Sequence, residues 1–263
     1  MSTLLPAVVI LGLWGLSALF GPLLPLQPDH IDLQQILAGP GPGSWLGSDD
    51  LGRPLLDRLL MGARTSFSVA LGVVLISSLL GTLLGTFAAY TGGAADRILV
   101  RIIDVFLAFP GILLAIALAG VMGPGIDNVI IALSIVGWVG YARLARAQVL
   151  SLKHRDHITA AVALGTGRIR IVLRHLLPLL ASPLIIEATF GIAAMVIAEA
   201  GLSFLGLGVQ PPAASWGNMI RDGARYMLVA PHMVLAPGVA VMLVVLSVNL
   251  LGDRLRDYLD VRI

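Results

Sequence analysis

Six long apolar runs leave this chain little choice of fold. A segment of about 20 apolar residues crosses the hydrocarbon core of a bilayer as a helix, because lipid offers no partner to an unpaired backbone N–H or C=O. Such runs occur at Leu4–Leu24, Ser66–Tyr90, Arg101–Val121, Asn128–Leu144, Leu179–Ala200 and Met233–Leu251. Only 12% of the residues are charged, against about 25% in an ordinary soluble domain. Most of the surface is therefore expected to face lipid or other helices. Leu4–Leu24 has no charged flank before it and no small-residue cleavage site, so it reads as a span. The expected fold is an all-α membrane protein, a six-transmembrane-helix bundle.

The segments between the runs set the layout. Residues 1–24 form the first transmembrane helix. Residues 25–65 form an extracytoplasmic loop that ends in an amphipathic interfacial stretch, Leu51–Ala63, where Arg53, Asp57 and Arg58 stand among leucines. Residues 66–252 hold the other five spans, with a basic water-facing loop at 151–178, and 253–263 form a charged tail. Six crossings put both termini on one side. That face carries 12 of the 17 basic residues, leaving Arg53, Arg58, Arg64, Arg221 and Arg225 on the other. The bias makes the first face cytoplasmic.

Chemistry is limited by what is missing. There are no cysteines, which excludes a disulfide scaffold, a thiolate metal site and a Cys nucleophile. The five histidines form no metal motif, and His154 and His157 lack an accompanying carboxylate signature. The single lysine, Lys153, follows Leu152 rather than a glycine loop, so the chain has no Walker A site for ATP. Ser203 lacks the glycine of a nucleophile elbow. No catalytic set or cofactor site is expected, and a net charge of +2 gives no reason to expect nucleic acid.

Polar groups inside the runs carry alternatives. Glu187 and Glu199 lie in the fifth run, where an ionised group costs roughly 2.5–3.5 kcal/mol at a helix centre. A substrate path or gate and an interhelical hydrogen bond explain them equally well. Asp104 reads as a helix-end residue, and Arg143 and Arg146 as side chains snorkelling to the headgroups. Pro110 inside the third run removes a backbone donor and predicts a kink, either structural or a moving gate. Gly81 and Gly85 form a small-xxx-small pair, read as tight bundle packing rather than a dimer seam. The basic segment from His157 to Pro178 holds a small-residue helix, Ile158–Leu164, then glycines at 165 and 167, then Arg168–His175, with Pro178 expected to stop it. It reads as a plain positive-inside loop or as a helix for a partner's groove. Arg168, Arg170 and Arg174 are free to pair with acidic residues there or with the phosphates of membrane lipid.

The order of residues in that segment resembles a known family. Thr159-Ala160-Ala161, Gly165, His175, Leu177 and Pro178 are similar to the EAA loop of ABC-importer permeases, with Thr159 for the usual Glu and His175 for the usual Ile. Gly47-Ser-Asp-Asp-Leu-Gly-Arg53 with Gly62-Ala-Arg64 resembles the opening signature of the C-type subunit of dipeptide/oligopeptide/nickel permeases. Glu199-Ala-Gly-Leu-Ser-Phe-Leu-Gly-Leu-Gly208, Pro211-Pro212, Ser215-Trp216-Gly217, Asn249-Leu-Leu-Gly-Asp253 and Leu255-Arg256-Asp257 fit the same subunit. The resemblance runs from Trp45 nearly to the end. One departure is the start, where only Met1-Ser2-Thr3 stand in place of a basic cytoplasmic tail.

The resemblance implies a type I ABC importer (MetI-like) permease fold and a heteromeric assembly. Its partners would be a homologous second permease subunit, two cytoplasmic ABC ATPases that bind ATP and Mg, and an extracytoplasmic substrate-binding protein. The loop residues Thr159, Ala160, Ala161, Gly165, Arg168, His175, Leu177 and Pro178 would couple ATP hydrolysis to alternating access in the cytoplasmic membrane. Glu187, Glu199 and Pro110 are the candidates for pathway or gate. The cargo expected is a di- or oligopeptide. The alternatives are nickel or a metal chelate and, in a different class, a stand-alone secondary carrier or channel. The lack of an internal repeat disfavours the last, and an intramembrane hydrolase has no catalytic constellation.

Overall fold

The computed structural model describes residues 4–259, and all regular structure in them is helical apart from two isolated bridges. Helix α1 spans Leu4–Phe20, α2 Leu55–Thr91, α3 Gly93–Leu107, α4 Gly111–Met122, α5 Ile126–Leu152, α6 Asp156–Ala163, α7 Arg168–Ile171, α8 Leu177–Phe204, α9 Trp216–Ala224 and α10 His232–Leu259. Five helical stretches are long and apolar enough to cross a membrane, and α3 with α4 makes a sixth if that bent pair is one span. The expectations for Met1–Thr3 and Arg262 fall outside the described residues.

Four expected boundaries differ. The stretch Leu51–Ala63 is not a separate interfacial element, because from Leu55 it is the first part of α2, which at 37 residues is about 55 Å long and overshoots the apolar core. Its Arg58 is buried rather than lying at a lipid interface. The third run is broken rather than kinked: α3 and α4 meet at 84°. The residue before a proline is driven out of the helical region, so α3 ends at Leu107 and Pro110 caps α4. Pro178 does not stop the basic stretch. It occupies the first turn of α8, where a missing N–H is harmless, and a π-turn at Val172–Leu176 joins α7 to α8. The tail from Asp253 to Leu259 continues α10.

The core is organised around α2, which packs most extensively on α5. Glycine permits it. A Cβ on Gly81 would collide with the Trp138 carbonyl and Tyr141, and one on Gly85 with the backbone of Ala142. The small-xxx-small pair is thus an intrachain seam. At one end of the bundle, Trp14 packs on Phe67 and Trp216 among Leu55, Met219 and Met233.

The loop between α1 and α2 is tied down around the Asp49 carboxylate, with Asp57 accepting from the Gln27 backbone. Asp49 accepts from the Leu51 and Arg53 backbones through Oδ1, and Oδ2 pairs with Arg53 Nε at 2.7 Å and Arg58 Nε at 3.4 Å. Arg58 also donates to the carbonyls of Pro28 and Pro212. Gly52, at φ +74, leaves no room for a side chain against the Asp32 backbone. Burial, reinforced by the neighbouring Asp49 charge, holds the Asp50 carboxyl above its ordinary range, with Arg53 opposing.

Candidate functional site

The segment connecting α5 to α8 projects from one end of the bundle. Arg155 caps α6 in extended geometry, Ile158 turns inward onto Val149, Leu152, Ile171 and Leu176, and Ala161 is buried as well. That leaves Thr159, Ala160, Val162 and Leu164 facing outward, with Val162 53% and Leu164 86% exposed. The helix ends at Ala163 with Leu164 as its C-cap, and the next residue, Gly165, has a φ of +78 that disfavours any L side chain, although its surroundings are open. Of the expected loop residues, Arg168 is exposed, His175 half-buried, and Leu177 and Pro178 lie in the first turn of α8. They are spread along α6, the non-helical break at 164–167, and the α7–π-turn–α8 stretch.

The two glutamates separate. Glu199 is 1% exposed, and its Oε2 and Oε1 accept hydrogen bonds from Ser66 Oγ at 2.9 Å and Ser203 Oγ at 2.7 Å. It joins α8 to α2 beside α9, whose Gly217 fits against Ala200 and Ser203. The Ser215-Trp216-Gly217 motif completes this joint: Ser215 and Asn218 form a capping box, and the Trp216 indole donates to the Leu59 carbonyl at 2.9 Å. Glu187, by contrast, is exposed within the chain and lines a cavity of about 670 Å³ between α3, α5 and α8.

Asp104, Arg143 and Arg146 line the same cavity. Asp104 is therefore part of a charged recess as well as a helix-end residue. Arg146 does not snorkel alone, because it grips Asp96 in the first turn of α3 through two hydrogen bonds of 2.6 and 2.8 Å. Asp104, Arg143 and Glu187 form no ion pair among the described residues. Pro110 stands apart at the α3–α4 elbow. The Asp49 clasp and the Asp96–Arg146 fork were not singled out from sequence. The partners of each fork or clasp are brought together by packing, and only the Asp49-x-x-x-Arg53 spacing offered a local signal. Among the described residues no group of three or more His, Asp or Glu is placed to hold a metal ion.

Comparisons with known proteins fit this geometry. Residues 81–263 match the family of the binding-protein-dependent transport system inner membrane component. A glutathione transport system permease protein of Pectobacterium atrosepticum is 43% identical over 90% of this chain and 79% of its own. A dipeptide transport system permease protein of Alkalihalophilus pseudofirmus is 41% identical over 96% of this chain and 84% of its own. A nickel transport system permease protein of Escherichia coli is 39% identical over 97% of this chain and 92% of its own. An inward-facing structure of the MetNI methionine ABC transporter shares the fold, with a TM-score of 0.63 at 20% identity, covering 78% of this chain and 98% of that one. By these matches the chain, a multi-pass helical bundle, belongs to the binding-protein-dependent transport system inner membrane component family, as an ABC-importer permease subunit of the peptide, glutathione and nickel group.

Proposed function

We propose that this chain is one of two transmembrane subunits of an ATP-driven importer for di- or oligopeptides. It works with a homologous permease, two cytoplasmic ATPases that bind ATP and Mg, and an extracytoplasmic binding protein. The observation that carries the coupling role is the outer face of α6. A short water-facing helix with Val162 and Leu164 uncovered beside Ala160 is an unfinished interface. Its inner face is fixed to the ends of α5 and α8 through Ile158, which packs in one cluster with Val149, Leu152 and Leu180. A partner that closes on α6 therefore moves two spanning helices directly, which is the bistable element alternating access needs. The charged recess of Asp104, Arg143 and Glu187 opens on the same helices and is the part of the pathway contributed by this chain. On this reading both termini and α6 are cytoplasmic, and the Asp49 clasp and α9 face the other side.

A peptide cargo is supported by the dipeptide and glutathione permeases among the relatives. Nickel or a metal chelate is the second reading, supported by the nickel permease at 39% identity. Direct ligation of a bare ion fits poorly, since the described residues offer no cluster of metal ligands. Family membership displaces the stand-alone carrier.

The test is co-purification and uptake with the genomic neighbours, comparing Ala160→Arg and Gly165→Arg with the unaltered chain. Ala160 is exposed, so an Arg there leaves the α6 packing intact, whereas Gly165→Arg adds backbone strain to bulk. A charge forced into a docked face costs about 2 kcal/mol or more, or about thirtyfold in affinity. Both variants are expected to insert and to keep the sister permease while losing the ATPases and uptake. Uptake at the normal rate by Ala160→Arg would remove α6 from the coupling path.

A further inference from the structure

The face of this chain beside α7 carries a second, different recess. An apolar groove of about 460 Å³ runs between the last turns of α2 and the α7–π-turn segment, bordered by Leu83, Leu84, Phe87, Tyr90, Ile169 and Leu173. Next to it lies a wider concavity of about 840 Å³ that holds Arg168, Arg170 and Arg174. Phe87, Arg168, Ile169 and Leu173 border both. The three arginines are exposed, and none has an ion-pair partner among the described residues. The feature is thus an apolar slot with a cationic mouth.

We infer that this is a binding site for one anionic phospholipid of the cytoplasmic leaflet, with an acyl chain in the slot and the phosphate among Arg168, Arg170 and Arg174. The inference rests on the orientation given under Proposed function. Charge complementarity selects a phosphate, and the slot decides which kind of phosphate. Leu83 lies eight residues before the end of α2 at Thr91, about 12 Å along the helix. The strip continues through exposed Leu75, Ile76, Leu79 and Leu80, all within a spanning helix. A soluble partner does not reach that depth and a free phosphate has no use for it, but a lipid tail fills it. The site stands apart from the outer face of α6, which presents Val162 and Leu164 and is left for the ATPase. Because Ile169 and Leu173 belong to the segment that joins α6 to α8, a lipid held there bears on the stiffness of the coupling path.

The experiment uses the assembled complex in nanodiscs of phosphatidylcholine alone or with phosphatidylglycerol. Lipid retained after extraction is read by native mass spectrometry. Phosphatidylglycerol is expected to be retained selectively. Each Arg→Gln change at 168, 170 or 174 should weaken retention about fivefold, and the triple variant roughly a hundredfold, from about 1 kcal/mol per basic residue near a lipid surface. Leu84→Trp, which fills the slot without touching charge, should also displace the lipid. Equal retention of the two lipids, or selective retention that survives both the triple variant and Leu84→Trp, overturns the site. Loss of the ATPases from the triple variant with lipid retention unchanged would give the arginines to a protein contact and overturns it too. If the family reading itself fails, the unaltered chain will already purify without ATPases, so the two failures are told apart in one preparation.

Discussion

Glu187 and Glu199 stand twelve residues apart on one helix and looked alike from sequence. Burial and two serines divide them. Glu199 is a joint between α2 and α8, accepting from Ser66 and Ser203 where the loss of either bond strands a hydroxyl in an apolar interior. A buried hydrogen-bonding group left unpaired costs about 1–3 kcal/mol. Glu199→Ala is therefore expected to destabilise the folded chain by about 2–6 kcal/mol, read as a fall in thermal unfolding temperature of the purified complex. Glu199→Gln, which keeps an acceptor, should cost less and leave most uptake. If Glu199→Gln abolished uptake at undiminished stability, the carboxylate would be part of a gate and not a joint. Glu187 has no such partners, and its place in the recess with Asp104 and Arg143 is why it alone stays in the proposed pathway.

Helices α2 and α5 approach closely because Gly81 and Gly85 present no side chain to Trp138, Tyr141 and Ala142. Van der Waals packing of this kind holds helices together in lipid, where the hydrophobic effect offers nothing between them. Gly85→Leu drives a side chain into the Ala142 backbone, and overpacking of that severity costs about 3 kcal/mol or more. It should abolish a monodisperse peak in fluorescence-detected size exclusion. Gly12→Leu in α1, where a Cβ meets nothing within 4 Å, should leave the peak unchanged. Two equally sharp peaks would mean that the α2–α5 seam tolerates separation. The α3–α4 elbow shows the opposite limit of element-level reading. Pro110 in the sequence announces a disturbance, but an 84° turn rather than a bend depends on the Asp96–Arg146 fork and the packing of α4 on α5.

Across the whole molecule, the proposed topology places the two ends of the bundle on opposite sides of the membrane. The chain has no cysteine, so a single introduced thiol reports its side without background. Trp45 is 82% and Leu164 86% exposed, and they lie at opposite ends of the bundle on the proposed topology. Trp45→Cys should react with an impermeant maleimide in right-side-out vesicles, and Leu164→Cys only in inverted ones. Labelling of both from one side would overturn the orientation and, with it, the coupling role of α6.

The sequence by itself determined the class of molecule. Apolar runs of bilayer length force helices, the placement of arginines suggests their direction, and the α6 segment carries its small residues and glycines locally. Those signals are local because backbone hydrogen bonding in lipid must be satisfied within each segment. The tertiary structure alone decided which polar groups are partners. The Asp49–Arg53–Arg58 clasp, the Asp96–Arg146 fork, the Glu199 joint and the charged mouth of the α2–α7 groove join residues up to 133 positions apart. Apart from the i, i+4 pairs Asp49–Arg53 and Glu199–Ser203, no periodicity encodes such meetings. They follow from how closely α2, α3, α5 and α8 lie on one another, which only the packed bundle fixes.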